Sequence, residues 1–294
     1  MTAAAPRQSA VSGPHRANAP DPETVMAQAR HENFPVASLL LPRSVRAHLL
    51  SVYGFARLVD DAGDEAQGDR LALLEEIEAD LERVWGGRPR NPLIARLQPT
   101  VAACNLEVDP FRRLIVANRR DQVVHRYETF EDLLGYCALS ANPVGELVLR
   151  IFGMATAERM RLSDKVCTAL QLVEHWQDVA EDYAAGRVYL PAEDLVRFGV
   201  GEPDLGLQSA TPELRALVGF EVRRARALLD EGAPLARMLP RRYAFAVAGF
   251  VVGGRSALRA IEHANYDVLG QRPRAGLLRR AVALAEILLH IDKR

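Results

Sequence analysis

Cysteine is scarce in this chain of 294 residues: Cys104, Cys137 and Cys167 stand far apart, with no CxxC and no Cys/His spacing. That excludes a disulfide frame or a cysteine-based zinc site and suits reduced thiols in a cytoplasmic protein. A surplus of one charge is also lacking, since 37 basic residues meet 38 acidic ones for a net charge of −1. Such balance excludes the electrostatic footprint of a nucleic-acid binder. Long hydrophobic runs are missing too. The most apolar stretch, YAFAVAGFVVGG at 243–254, falls short of the roughly 20 residues that span a bilayer. The start, MTAAAPRQSAVSGPHRANAPDPE, has no apolar h-region, and its Ala and Pro content predicts a disordered lead-in over residues 1–22. The expectation is a soluble cytoplasmic protein, with peripheral contact to a membrane left open.

Strand signals are absent as well. No stretch alternates apolar and polar residues, and no Asn-Gly or Asp-Gly hairpin occurs. What is present is helical periodicity. Apolar residues recur at three and four positions in VRAHLLSVYGFARLVDDAGDE, RLALLEEIEADLERVW, FRRLIVANRRDQ and FEDLLGYCALS. The spacing continues through SDKVCTALQLVEHWQDVAEDY, LRALVGFEVRRARALLDEG, FAVAGFVVGGRSALRAIEHANYDVL and GLLRRAVALAEILLHI. Breaks fall at GGRPRNP, EVDP and GVGEPDLG. The reading is one all-α domain over residues 23–294, a bundle of about eight to ten helices.

Two helical stretches carry acid on one face. In LQLVEHWQDVAEDY (170–183), Gln171, Asp178 and Asp182 fall in a narrow arc at about 100° per residue. Glu174 lies about 60° to one side of Gln171 and His175 about 40° to the other. In YGFARLVDDAGDE (53–65), Tyr53, Arg57, Asp60 and Asp64 share a face, with Asp61 about 100° from Asp60. Carboxylates four residues apart repel by a few tenths of a kcal/mol unless a cation intervenes. One such face alone reads as solvated helix surface. Two, each flanked by apolar positions, suit Mg²⁺ bound through hard oxygen ligands around a diphosphate. Arg57 could reach that diphosphate or pair within its own helix.

The pair DDAGD (60–64) and QDVAED (177–182) resembles the two aspartate-rich motifs of the squalene/phytoene synthase family. HENFPVASLLLP, YCALSANPVGELVLRIFG, GRVYLP and ANYDVL resemble its other segments in the same order, over about residues 30–270. ENFPVAS, SANPVG and WQDVAEDYAAGRVYLP look most like the bacterial hydroxysqualene synthase branch. The resemblance implies a single-domain isoprenoid synthase fold around a central apolar cavity. It also implies Mg²⁺-dependent ionisation of presqualene diphosphate, rearrangement and water capture, on a route to squalene and hopanoids. A head-to-head condensing activity on two prenyl diphosphates and a non-catalytic scaffold are the alternatives.

On this reading Asp60, Asp61, Asp64, Glu174, Asp178 and Asp182 are the expected Mg²⁺ ligands. Glu174 departs from the family, where many relatives carry Asn. Arg57, Arg187 and Gln171 are expected at the diphosphate. Tyr53, Tyr189 and Tyr266 are placed at that end by analogy, and Phe34 in the tunnel wall. Asn142, before Pro143, is expected where a helix kinks beside the isoprenoid chain or against a neighbouring helix. His175 reads as a structural histidine or as a group acting on water. The implied partners are an isoprenoid diphosphate substrate and other enzymes of the squalene pathway.

Overall fold

The computed structural model describes residues 19–28 and 41–270. Phe34, the residues before 19 and the periodic stretch GLLRRAVALAEILLHI lie outside the described residues. The chain begins with α1 (Pro22–Gln28), α2 (Arg43–Asp64), α3 (Arg70–Leu81) and the short α4 (Arg83–Gly86) and α5 (Pro92–Ala95). Next come α6 (Leu97–Cys104), α7 (Asp109–Asp121), α8 (Phe130–Ser140), α9 (Asn142–Ile151) and α10 (Ala157–Gln177). The order ends with α11 (Val179–Ala184), α12 (Ala192–Phe198), α13 (Pro212–Gly232) and α14 (Arg241–His263). No strand occurs among the described residues, as expected of an all-α chain.

The boundaries follow local chemistry. Asp69, Thr156 and Thr211 accept hydrogen bonds from the first-turn amides of α3, α10 and α13, and Thr129 with Asp132 forms a capping box on α8. Asn105 and Gly199 end α6 and α12 in the left-handed region.

Two expectations are corrected here. The stretch 136–153 is two helices, α8 and α9, broken at Ala141 with Pro143 in the first turn of the second. Proline lacks the amide a continuous helix would need, so it starts one more easily than it bends one. The stretch 170–183 is likewise divided at Asp178, whose backbone (φ −107°, ψ 14°) leaves the helical region between α10 and α11.

Two apolar clusters form the core. One gathers Phe55, Leu58, Leu74, Phe111, Ile115 and Leu147 from α2, α3, α7 and α9. The other gathers Leu133, Leu172, Trp176, Leu214 and Leu258 from α8, α10, α13 and α14. Helix α9 meets α10 closely because Gly145 lacks a side chain: a Cβ there would lie 2.3 Å from Ser163 Oγ and 2.6 Å from Cys167 Sγ. Gly145 therefore serves helix packing. Among the described residues, α14 is long and apolar enough to cross a membrane, longer than the run legible in the sequence. Of its most apolar window, 61% is buried against protein, as in the core helix of a bundle.

Candidate active site

Three helices end together. α2 closes on Asp60, Asp61 and Asp64, α7 closes on Asp121, and α10 passes through Asp178 into α11 with Asp182. A helix C-terminus is the negative end of its dipole, so Asp61, Asp64 and Asp121 are each disfavoured there by about 0.3–1 kcal/mol without a cation, whereas Asp182 sits in the first turn of α11.

Named contacts join these ends. Arg187 Nη1 donates to Asp64 Oδ1 at 2.7 Å, tying the segment after the second acidic stretch to the first. Asn118 Nδ2 on α7 donates to Asp60 Oδ1 at 3.1 Å, and Gln122 Nε2 donates to the Gly63 carbonyl at 3.0 Å. Tyr136 on α8 donates its hydroxyl to Asp121 Oδ2 at 2.6 Å, and the Tyr189 hydroxyl lies 3.5 Å from Asp121 Oδ1. Asn118 and Asp121 carry no expected role from sequence, and Tyr136 enters there only as the head of the family-like segment YCALSANPVGELVLRIFG. The signal for Asn118 and Asp121 is their spacing of three at the end of an amphipathic helix.

The loop bearing Arg187 and Tyr189 is strapped down. Gly186 adopts φ +83°, and Arg126 donates to its carbonyl at 2.7 Å while gripping both oxygens of Glu202. Val188 and Ala192 amides donate to the His125 and Tyr127 carbonyls, each at 2.9 Å. Tyr189 consequently stacks on His175, with centroids 3.7 Å apart and planes 16° from parallel, beside Tyr127 and Tyr136.

Electrostatics mark the acids as crowded. Desolvation pushes Asp60 up to about 6, eased by Asn118 and Arg57 and reinforced by Asp64 and Asp61. The Asp60 side chain is nonetheless exposed at the end of α2. Asp121 is pushed up to about 6 and Asp182 to about 7, again chiefly by desolvation, with Arg187 opposing in both. Burial, aided by Arg187, holds His175 down at about 3, so its ring is neutral. Gln171 Nε2 lies 3.2 Å from His175 Nε2. An amide NH₂ can only donate, so Nε2 accepts and the proton sits on Nδ1. That nitrogen faces Asp182 Oδ2 at 4.0 Å.

Other expected residues stand as follows. Arg57 Nε pairs with Asp61 Oδ1 at 2.7 Å and its Nη2 with Glu65 Oε1 at 3.3 Å, which is the intrahelical pairing rather than a free guanidinium. Asp61 is buried on that pair and lines a separate pocket with Asp21, Thr24 and Glu65, apart from Asp60 and Asp64. Tyr53 lies on α2, about two turns before Asp60. Glu174 sits one turn before Asp178, whose amide bonds to the Glu174 carbonyl. Asn142 accepts from Thr168 Oγ1 at 3.0 Å and so ties α9 to α10. Tyr266, at φ +58°, lies over Gly219 of α13, and among the described residues no hydrogen bond joins it to the aspartates.

Among the described residues no three His, Cys, Asp or Glu side chains are grouped to hold a metal unaided. The donors that converge are carboxylates, raised chiefly by desolvation with neighbouring acids adding to it, and a hard divalent cation would offset both. They fit Mg²⁺ whose remaining oxygens come from a ligand.

A squalene/phytoene synthase family profile matches residues 27–280. A 15-cis-phytoene synthase of Synechococcus elongatus is 30% identical over 272 residues, 88% of each chain. A hydroxysqualene synthase of Rhodopseudomonas palustris is 37% identical over 212 residues, 70% of this chain and 71% of its own. The crystal structure of squalene synthase HpnC from Alicyclobacillus acidocaldarius superposes with a TM-score of 0.78 at 47% identity, covering 83% of this chain and 94% of that one. The chain belongs to the squalene/phytoene synthase family and is an isoprenoid synthase enzyme.

Proposed function

We propose, from that family membership, that the chain is a hydroxysqualene synthase. It ionises presqualene diphosphate, rearranges the cyclopropylcarbinyl cation and captures water, releasing hydroxysqualene, diphosphate and a proton. The observation that carries this reading is the 2.7 Å pair between Arg187 and Asp64, which draws two distant acidic segments onto one site. The hydroxysqualene synthase relative and the 47% identical HpnC structure support the branch.

The C–O bond breaks with its electron pair leaving on the diphosphate, so the barrier is one of charge separation in an apolar site. Asp60, Asp64, Asp178 and Asp182 would hold Mg²⁺ at the leaving oxygens, and Asp121 stands within the same group of acids. Bound there, Mg²⁺ supplies Lewis-acid stabilisation of the departing diphosphate. Arg187 adds a fixed cation, held protonated beside Asp64 and Asp182. Gln171, on the same helix as His175, orients that ring. The Tyr127, Tyr136 and Tyr189 rings pack on one another beside the acids, and Tyr136 donates to Asp121.

The test is incubation of the purified chain with Mg²⁺ and either presqualene diphosphate or farnesyl diphosphate alone. Hydroxysqualene forms from the first. A C30 product from farnesyl diphosphate alone would replace this assignment with a head-to-head condensing one, the activity class to which the phytoene synthase relative points.

A further inference from the structure

We propose that the space between His175 and Asp182 is a built site for one water molecule, and that His175 is a positioning residue that orients the Asp182 carboxylate through it. The inference rests on the reading of Asp182 as a carboxylate working at the diphosphate.

Nδ1 of His175 and Oδ2 of Asp182 are 4.0 Å apart. That is too long for a hydrogen bond and suits a bridging molecule. Both residues line a cavity of about 10 Å³, closed by Arg187, Tyr189 and the apolar Val179, Val188, Leu190 and Leu205. About 10–15 Å³ holds one water, provided two to four polar groups meet it. Three are at hand. The His175 tautomer fixed by Gln171 turns an N–H toward the gap, and Asp182 offers an acceptor. Arg187, on the same wall, has a buried Nε with no hydrogen-bond partner among the described residues. The leucines leave the water few alternatives. The ring cannot swing away, because it is buried and stacked on Tyr189 at 3.7 Å.

The chain Gln171, His175, water, Asp182 thus resembles the outer supports that orient metal-binding carboxylates, whose loss costs about 10–100-fold in metal affinity. A high-resolution crystal structure of the full chain should show a water within about 3.2 Å of both Nδ1 and Oδ2. A direct Nδ1–Oδ2 bond, or no water there, overturns the site. His175→Leu should raise the Mg²⁺ concentration for half-maximal turnover about tenfold. His175→Asn, whose amide nitrogen falls near the Nδ1 position, should restore most of it. An unchanged Mg²⁺ dependence in the Leu variant overturns the positioning role. If the Leu variant does not fold, the water in the wild-type and His175→Asn crystals still decides. Asp182→Ala separates the two levels: full turnover in that variant defeats the parent reading, whereas its inactivity beside a normal His175→Leu defeats this inference alone.

Discussion

Asp60, Asp121 and Asp182 are each held well above the ordinary carboxylate range, and the cause in each case is desolvation without enough positive charge to offset it. Arg187 must serve Asp64 and Asp182 together, and Arg57 is occupied by Asp61 and Glu65. Acids arranged this way destabilise the empty fold, so their presence argues for use in binding rather than in folding. Asp60→Ala or Asp178→Ala should lower turnover by at least about a hundredfold. The helical circular dichroism should remain, with a thermal midpoint equal to or above that of the wild type. Global unfolding in either variant would make these side chains structural. Asp61 belongs to a different environment although it adjoins Asp60, because a helix turns about 100° between neighbours.

Pairs of elements place these residues. α2 and α7 approach closely at Gly63, where a Cβ would lie 2.2 Å from Asn118 Oδ1. Gly63→Ala must therefore push Asn118 away from Asp60. We expect a cost of about 1–3 kcal/mol in chemical denaturation together with reduced turnover. Wild-type activity in that variant would mean that the Asn118 contact is dispensable. α12 and α13 are clasped by Arg224, which pairs with Asp194 and Glu221 and lies over the Phe130 and Phe220 rings at 4.3 and 4.2 Å. Glu221 is fully buried, and desolvation pushes it from 4.5 up to about 8, with Arg224 opposing and Asp194 reinforcing. The folded chain thus keeps a proton that the unfolded chain releases, so this clasp loses stability as pH rises from 4.5 to about 8 and levels off above. Glu221→Gln, which retains an N–H toward Asp194, should show a smaller drop in melting temperature between about pH 6 and pH 9. An identical drop in both proteins would remove Glu221 as the cause.

At the scale of the whole molecule, two apolar clusters bring three acid-bearing helix ends to one place, and the unrelieved charge there is what a ligand would stabilise. Mg²⁺ together with a non-ionisable diphosphate analogue should raise the melting temperature. At a ligand concentration of a hundred times Kd the gain is about 2.7 kcal/mol. Differential scanning calorimetry on the wild type and on Asp64→Ala checks it, with the shift expected in the first and lost in the second. Equal shifts would place the ligand elsewhere.

Much of this was legible before any tertiary contact was known. The period of 3.6 in the apolar residues specified an all-α chain, because each helix must bury one stripe. The spacing of Asp60 with Asp64, and of Asp178 with Asp182, marked two segments that needed a cation. Other features are properties of facing chains, about which a periodic pattern carries no information. Asn118 and Asp121 became part of the site only because α7 packs across the end of α2 at Gly63. Helix α10 stops at Asp178 for a reason local patterning does not contain, and Arg57 chose Asp61 over open space only once α2 was set among its neighbours. Sequence determined which residues could share a face; folding decided which faces met, because burial and charge are shared between segments far apart in the chain.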